Sequence, residues 1–256
     1  MSDLLNLLVQ TALEAGAEIE AIYGAGCAAE IKEDGSPVTE ADRKAEAIIL
    51  ARLAAAYPDI PILAEEEACA GRIPVLGSRF FCVDPLDGTK GFVQRNGEFT
   101  VNIALIDDGA PVAGVVYAPD SHALFYGAKG EGAFRQREGS ALQPIRTRKP
   151  PAEGLVAIGS RNHPKQETEC WLAAHGITEL LPSGSSLKFC LIAEGAADVY
   201  PRHGPTMEWD TAAGQAVLEA AGGRVVVLDG DCEGGPLRYG KVEAGFLNSN
   251  FVAWGV

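Results

Sequence analysis

The sequence is short of positive charge and lacks long apolar runs. Its 256 residues include 21 Lys and Arg against 35 Asp and Glu, which gives a formal net charge of −14 at pH 7. Nucleic acid duplexes and anionic membranes repel such a protein at long range, so neither is expected as a partner. No apolar run approaches the ~18 residues that a membrane span requires, and we expect no transmembrane segment.

The sequence also lacks the cysteine and histidine spacings of common metal sites. Its six cysteines form no C-x-x-C pair, and its four histidines show no ligand spacing. Residues 1–10 contain no basic stretch of the kind that begins a targeting segment. We therefore expect a cytoplasmic protein with reduced thiols. There is no internal repeat, and the length is enough for one large domain or two small ones.

The densest group of candidate ligands follows a predicted buried strand at residues 80–83. Two carboxylates, Asp84 and Asp87, are separated by Pro85 and Leu86. Mg²⁺ prefers oxygen ligands, and the two carboxylates with the Leu86 carbonyl can supply them from one tight turn. The alternative is a β-turn in which Asp and Gly serve only turn chemistry. A D-x-x-D-G motif alone does not decide between the two interpretations.

The next three residues, Gly88, Thr89 and Lys90, favour a phosphate site beside that metal. Gly88 permits close backbone approach or an unusual φ. The amides of Thr89 and Lys90 are predicted to begin a helix, and free amides at a helix start attract phosphate. Metal and phosphate would then meet within one short loop.

Acidic residues before this loop have two interpretations each. Thr39 with Asp42 three residues later resembles a capping box, which would make Asp42 a helix cap. The three glutamates at 65–67 directly follow a strand predicted over 60–64. Three adjacent acids are usually a solvated surface, yet a carboxylate at a strand end is also placed to face inward beside Asp84. The pattern does not choose which of the three would do so.

The second half of the chain offers an anion site and one more acid. Residues 184–188 open a predicted helix, where Ser185 is either a cap or, with Lys188 one turn away, a group that holds an anion. A further helix is predicted from residue 207 onward, and Asp210 near its start is either a dipole partner in the first turn or a metal ligand.

Together these motifs resemble the inositol monophosphatase superfamily. The matching segments are VTEAD (38–42), LAEEE (63–67), VDPLDGTKGF (83–92), GSSLKFCLIAEG (184–195), YPR (200–202) and WDTAAG (209–214). Within the superfamily, the run RNGEFTVNIALID after TKGF and the pairing of SSLK with YPR resemble bacterial 3'(2'),5'-bisphosphate nucleotidases of the CysQ type. The resemblance covers nearly the whole chain. One departure is Ala64, because the family often has serine or glycine before the paired acids.

The resemblance implies an α+β fold, a layered αβαβα sandwich of the inositol monophosphatase and fructose-1,6-bisphosphatase type. An N-terminal α+β subdomain at residues 1–150 would carry the metal-binding loops. A C-terminal α/β subdomain at residues 151–256 would carry substrate contacts and the last metal ligand. The active site would then lie between the two.

The resemblance also assigns roles to individual residues. The implied ligands of two or three Mg²⁺ ions are Glu65, Asp84, the carbonyl of Leu86, Asp87 and Asp210. Asp42 matches the aspartate that activates water, with Thr89 as its hydrogen-bond partner, which favours catalysis over capping at that position. The implied substrate contacts are Gly88, Thr89, Lys90, Ser185, Lys188 and Arg202.

The activity implied by the resemblance is Mg²⁺-dependent hydrolysis of the 3'-phosphate of 3'-phosphoadenosine 5'-phosphate to AMP and phosphate. Action on 3'-phosphoadenosine 5'-phosphosulfate, a role in sulfur metabolism and inhibition by lithium are further expectations. The alternatives are an inositol monophosphatase or fructose-1,6-bisphosphatase-like sugar phosphatase and, from another class, a non-catalytic metal-dependent nucleotide-binding module. The resemblance adds peripheral contact with the inner membrane to the expected location and leaves the oligomeric state open. His163 is a candidate contact on the adenine side of the site.

Overall fold

We analysed a computed structural model of the chain, which describes residues 1–26, 28–32, 35, 37–159, 165–230 and 232–256. The helices in these residues are α1 (Asp3–Ala25), α2 (Glu40–Ala56), α3 (Glu65–Cys69), α4 (Thr89–Val93), α5 (Gln166–Ala174), α6 (Leu187–Ala193) and α7 (Ala212–Ala220), with a short 3₁₀ turn at Val242–Ala244. None of the helices in the described residues is long and apolar enough to cross a membrane.

The strands of the described residues form three sheets. They are β1 (Ala29–Ile31), β2 (Pro37–Thr39), β3 (Ile62–Ala64), β4 (Arg79–Asp87), β5 (Thr100–Asp107), β6 (Ala110–Ala118), β7 (Ala123–Ala128), β8 (Gly132–Gln136), β9 (Gln143–Ile145), β10 (Val156–Gly159), β11 (Glu179–Pro182), β12 (Val199–Arg202), β13 (Arg224–Asp229), β14 (Cys232–Pro236) and β15 (Phe251–Trp254). Strands β1 and β2 pair with each other as a small antiparallel hairpin.

The two larger sheets follow the two halves of the chain. Strands β3 to β9 form a seven-stranded sheet in sequence order, in which β3 is parallel to β4 and the later neighbours are antiparallel. The second sheet has six strands in the order β11-β10-β12-β15-β13-β14 and is parallel only where β10 meets β11 and β12. Pro150 lies between β9, the last strand of the first sheet, and β10, the first strand of the second. The subdomain boundary there stays a prediction, with which this division of strands agrees.

Alternation of side chains along the strands gives the seven-stranded sheet two buried faces. Val83 and Ile103 point to the side covered by α1 and α2, and Cys82 and Ala104 point to the side covered by α6 and α7. The six-stranded sheet packs Phe251 against the same α6–α7 layer. Its other face packs around Trp171 of α5. The layers are therefore α, β, α, β and α, and the predicted sandwich is confirmed.

Helix α7 lies very close to the seven-stranded sheet because a glycine faces it. A Cβ at Gly114, in the middle of β6, would lie 2.7 Å from the carbonyl oxygen of Ala213 and 2.8 Å from the Cβ of Ala216. Only glycine allows a helix backbone so near a strand. This contact sets the position of the segment just before α7.

The helix predicted from residue 207 begins later than expected. Residues 207–211 form hydrogen-bonded turns, in which the amide of Asp210 donates to the carbonyl of Met207, and the helix starts only at Ala212. The strand predicted over 60–64 is shorter as well and spans Ile62–Ala64. Asp210 therefore lies just before the helix, next to its N-cap Thr211, and not within its first turn.

Candidate active site

A bulge in β4 brings the two aspartates of the central motif to one face of the sheet. Asp84 pairs with Asn102 of β5 and Asp87 pairs with Thr100, so two residues of β4 stand opposite one residue of β5. Without that extra residue, side chains three apart would point to opposite faces. Pro85, which cannot donate a ladder hydrogen bond, lies within the bulge. The motif is therefore part of a strand, not a free β-turn.

Glu65 reaches the same place from the neighbouring strand. The parallel pairing of Ala64 with Val83 puts Glu65, the next residue, beside Asp84. Its carboxylate also forms a salt bridge with Lys32. The Nζ of Lys32 lies 2.8 Å from Glu65 Oε1 and 2.6 Å from Glu66 Oε1. The first two of the three adjacent glutamates therefore face a cation on the β1–β2 hairpin.

The third glutamate behaves differently. Glu67 pairs with Arg72, whose Nε lies 2.6 Å from Glu67 Oε2 and whose side chain is exposed. The surface interpretation of the run therefore holds for this residue, while Glu65 is the glutamate of the run whose charge couples to Asp84.

Asp42 serves as a helix cap and contacts the central loop as well. Its Oδ2 accepts hydrogen bonds from the amide of Thr39 at 2.8 Å and from the Thr39 hydroxyl at 2.7 Å, which completes the predicted capping box. Its Oδ1 lies 3.1 Å from the hydroxyl of Thr89, which is also 3.2 Å from the carbonyl oxygen of Leu86. The two interpretations of Asp42 are thus compatible, because each uses a different oxygen.

Asp210 joins the cluster from the second half of the chain. Its Oδ2 accepts the amide of Met207 at 2.8 Å, which orients the carboxylate. Ser186, which is almost fully buried, lies with its hydroxyl 2.9 Å from the carbonyl oxygen of Asp210 and 3.2 Å from Asp87 Oδ2. This serine therefore ties the two halves of the site together and makes no side-chain cap on α6.

Two buried side chains hold the turn that carries Asp210. The carboxylate of Glu208 accepts the amides of Gly240 at 2.7 Å and Lys241 at 2.8 Å. The amide group of Asn248 donates to the Met207 carbonyl at 2.8 Å. The same amide lies 3.0 Å from the hydroxyl of Thr211, so both ends of the turn are bonded to the 240–248 segment and Asp210 has little freedom to leave the cluster.

Crowding of carboxylates in a buried place raises their pKa values. Burial raises the pKa of Glu65 to about 7 against the opposing charge and hydrogen bond of Lys32, and burial followed by the charge of Asp87 raises the pKa of Asp210 to about 8. The pKa of Asp84 is raised well above its usual range by burial and by the charges of Glu65, Asp87 and Asp210. Burial also raises the pKa of Asp42, against the hydrogen bonds from Thr39 and Thr89.

The donor set fits a hard divalent cation in its chemistry. All five candidate ligands are oxygens, which Mg²⁺ prefers, and the repulsion among the four carboxylates is what a bound cation would relieve. Among the described residues, no three acidic, His or Cys side chains stand at metal-ligand spacing. Each carboxylate contacts a protein group instead, as Glu65 does with Lys32 and Asp210 with Met207. Rotation of these side chains is needed to bring their oxygens to a shared ion.

Asn102 is an orphaned polar group beside the carboxylates. It is 1% exposed, and neither its side-chain oxygen nor its nitrogen finds a hydrogen-bond partner among the described residues. Its pairing with Asp84 places it on the face of the sheet that carries the acids. A buried amide of this kind is costly unless a polar group satisfies it, so its place fits a hydrated ion site.

Basic residues of the second half lie next to the acids. Lys188 is 8% exposed, donates from Nζ to the carbonyl of Ser185 at 2.7 Å and sits 5.4 Å from the centre of the Tyr200 ring. Burial lowers its pKa to about 8, with Asp87 opposing that shift and Arg202 adding to it. The guanidinium of Arg202 donates to the Pro205 carbonyl at 3.0 Å, while its buried Nε has no partner in the described part of the chain.

Ser185 sits in a strained conformation at this junction. Its φ of 53° lies in the left-handed region, which serine rarely adopts. Its hydroxyl contacts the hydroxyl of Thr100 on β5 and accepts the amide of Ser186 at 2.6 Å. Backbone outliers of this kind cluster at ligand-contacting sites, which fits a substrate-contact role for Ser185.

The phosphate-site residues of the central loop are arranged partly as expected. Gly88 has φ 95°, and a Cβ there would lie 2.5 Å from the carbonyl oxygen of Glu98, so only glycine fits. Helix α4 starts at Thr89 as predicted, and Lys90 is exposed on it. His163, the candidate adenine contact, lies outside the described residues.

Lys32 and Glu46 are among the residues near the site that the sequence analysis missed. Lys32 carries no local signal, because its partners lie more than thirty residues away. Glu46 is a buried acid, 3% exposed, on the same face of α2 as Asp42 and Ile49. An acid within a buried apolar stripe, four residues after Asp42, is the signal that would have found it.

The family relationship is shown by comparison with known proteins. A model of the inositol monophosphatase family matches residues 1–251. The chain belongs to the inositol monophosphatase family. The resemblance inferred from the motifs is thereby confirmed, and the order of layers in the fold agrees with it.

Relatives within the inositol monophosphatase family include bisphosphate nucleotidases. The chain is 46% identical over 251 residues to the 3'(2'),5'-bisphosphate nucleotidase CysQ of Salmonella typhimurium, covering 97% of this chain and 98% of that protein. It is 40% identical over 253 residues to CysQ of Buchnera aphidicola, covering 98% and 93%.

Solved structures of this family also match the chain in sequence and fold. CysQ from Bacteroides thetaiotaomicron is 39% identical and superposes with a TM-score of 0.80, covering 98% of this chain and 96% of that one. An inositol monophosphatase from Anabaena is 28% identical with a TM-score of 0.74, covering 98% and 90%. Both matches span nearly the whole of each chain.

The raised carboxylate pKa values predict that the pH dependence of the Tm reverses when metal binds. Folding raises the pKa of Glu65 from 4.5 to about 7 and that of Asp210 from 3.8 to about 8, so the folded state holds more protons than the unfolded state in that range. With chelator, the Tm should therefore fall as pH rises from about 5 to about 8. With Mg²⁺ the Tm should rise over the same range, because the metal competes with protons.

Thermal unfolding followed by circular dichroism, with and without chelator, measures both slopes. The metal-free slope should be shallower in Asp210→Asn and unchanged in Asp59→Asn, which alters an exposed acid. A metal-free Tm that rises between about pH 5 and about pH 8 would contradict the carboxylate cluster.

Proposed function

We propose that the chain is a Mg²⁺-dependent 3'(2'),5'-bisphosphate nucleotidase. It hydrolyses the 3'-phosphate of 3'-phosphoadenosine 5'-phosphate to AMP and phosphate, and it also accepts 3'-phosphoadenosine 5'-phosphosulfate. The observation that supports this proposal most strongly is that Lys188 and Arg202 lie close to the proposed metal ligands. Lys188 interacts electrostatically with Asp87, and Arg202 does so with Asp210. A substrate with two phosphates needs one anion contact away from the reacting phosphate, and relatives named CysQ are matched along almost the whole chain.

The acidic cluster holds the metal in this proposal. Glu65, Asp84, the Leu86 carbonyl, Asp87 and Asp210 would bind two or three Mg²⁺ ions. When bound, such ions neutralise the phosphate oxygens, make a water nucleophilic at neutral pH and stabilise the leaving sugar oxygen. The protein's own contribution is to hold four carboxylates close together against their mutual repulsion.

Asp42 and Thr89 orient the attacking water. The Thr89 hydroxyl donates to Asp42 Oδ1, which leaves its lone pairs free to accept a hydrogen bond from a water molecule. Asp42 is held in place by the two hydrogen bonds from Thr39, so the pair is fixed before substrate arrives. Burial raises the pKa of Asp42, which suits it to receive a proton through Thr89.

The remaining residues position the substrate. Gly88 and the amides of Thr89 and Lys90 contact the reacting phosphate, where the absence of a Cβ at Gly88 leaves the loop backbone closely packed on Glu98. Ser185, Lys188 and Arg202 contact the nucleotide and its 5'-phosphate. The Nε of Arg202, which has no hydrogen-bond partner among the described residues, is available to a phosphate oxygen in this arrangement.

We predict that Asp42→Asn abolishes most of the turnover while metal binding survives. The amide keeps the shape of the side chain and loses the proton acceptor, so kcat should fall about 10²- to 10⁴-fold. The Tm rise caused by Mg²⁺ should remain, since Asp42 is not among the proposed ligands. Phosphate release and thermal unfolding on the same samples measure the two effects. Near-normal kcat in this variant would exclude Asp42 as the base.

We predict a preference for nucleotides that depends on Arg202. Phosphate release in Mg²⁺ should give a higher kcat/KM for the two nucleotides than for inositol 1-phosphate or fructose 1,6-bisphosphate. Arg202→Met should lower kcat/KM for 3'-phosphoadenosine 5'-phosphate about 10- to 100-fold, the usual effect of losing one charged hydrogen bond. Its activity on inositol 1-phosphate should change little, and Arg224→Met serves as a surface control.

Two results would contradict this assignment. A preference for inositol 1-phosphate in the unmodified protein would keep the metal site and overturn the substrate. No turnover on any of the four esters would instead favour a metal-dependent nucleotide-binding module.

A further inference from the structure

Helix α3, which begins with the proposed ligand Glu65, has no cap of its own. The residue before it, Ala64, has the extended backbone of an N-cap, φ −124° and ψ 146°, but no side chain that can accept a hydrogen bond. Helices usually meet this need with Ser, Thr, Asp or Asn at that place. The amides of the second and third helical residues, Glu66 and Glu67, therefore need an acceptor from elsewhere.

Glu46 of α2 supplies that acceptor from a distance in sequence. Its Oε2 lies 2.8 Å from the amide nitrogen of Glu66, and its Oε1 lies 3.0 Å from the amide nitrogen of Glu67. These are the two amides that an N-cap side chain would normally satisfy. The carboxylate is 3% exposed, so water does not compete for these bonds.

The same helix carries the proposed base. Asp42 and Glu46 lie one helical turn apart on the buried face of α2. Asp42 contacts Thr89, and Glu46 holds the helix that starts at Glu65. One rigid turn of α2 thus spans from the Thr89 hydroxyl to the first turn of α3.

We propose that Glu46 is a positioning residue that caps α3 from α2 and thereby aims the Glu65 carboxylate at the cluster formed with Asp84. The inference deepens the proposed function and rests on it for the role of Glu65 as a metal ligand. Glu46 touches neither substrate nor metal in this account. Its effect must therefore appear in metal affinity first and reach catalysis only through Glu65.

The test compares Glu46→Gln with a rescue variant. The amide side chain can accept from only one of the two backbone amides and directs an N–H group at the other. We expect the Mg²⁺ dissociation constant, measured by calorimetry on the protein alone, to rise about 3- to 30-fold, in line with loss of a helix cap. At saturating Mg²⁺, KM for the nucleotide should stay within about twofold.

Adding Ala64→Ser should restore a large part of the lost affinity, because a serine hydroxyl at an N-cap accepts one of the same two amides. Glu194→Gln is the matched control, because this glutamate side chain is 6% exposed and pairs with Arg135 and Arg137 away from α3. It should lower the Tm without changing the Mg²⁺ dissociation constant. If Glu46→Gln does not fold, Glu46→Asp, which keeps the charge and shortens the reach, replaces it with the same expectation.

The outcomes separate this inference from the proposed function. Normal Mg²⁺ affinity in Glu46→Gln, or weakened affinity that Ala64→Ser does not restore, would overturn the positioning role even if the protein hydrolyses nucleotides as proposed. Weakened and rescued Mg²⁺ affinity would support it even if none of the tested esters is hydrolysed.

Discussion

Repulsion among buried carboxylates is the constraint on which the rest of this structure depends. Glu65, Asp84 and Asp210 come from both halves of the chain and lie where burial favours their neutral forms, and the negative charge of Asp87 adds to this effect at Asp84 and Asp210. Folding brings them together because three features of the backbone fix their positions. These are the β4 bulge, the β3–β4 pairing and the turn before α7. A cation is the natural complement of such a site, and its binding would stabilise the fold as well as allow catalysis.

Backbone amides near the acids donate hydrogen bonds to the carboxylates, which partly offsets that repulsion. Leu86 donates its amide to Asp84 at 3.0 Å, and Met207 donates to Asp210. Buried glutamates at the periphery do the same for the loops, since Glu208 accepts two amides of the 240–241 segment and Glu46 accepts two of α3. These bonds hold Asp84, Asp210 and the surrounding loops near one another, while the side chains still have to rotate to share an ion.

The sequence predicts the layers and the central acids better than it predicts how they are held. The capping box at Thr39 and Asp42 and the helix start at Thr89 are local patterns, and both are confirmed. Asp210 was expected within a helix, because local propensity does not reveal the close packing of α7 at Gly114 that fixes where the helix begins. Lys32 and Glu46 act on residues twenty or more positions away, and no local pattern carries such pairings.

We propose above that the four carboxylates and the Leu86 carbonyl converge on divalent cations. Anomalous diffraction from crystals grown with Mn²⁺, a close substitute for Mg²⁺, tests it most directly. We expect at least two anomalous peaks. Asp84 should contact more than one of the ions, and Glu65, Asp87 and Asp210 should each contact at least one. Lys32 should no longer be within hydrogen-bond distance of Glu65. Peaks elsewhere, or carboxylates that keep their contacts with Lys32, Ser186 and Met207 in saturating Mn²⁺, would contradict it.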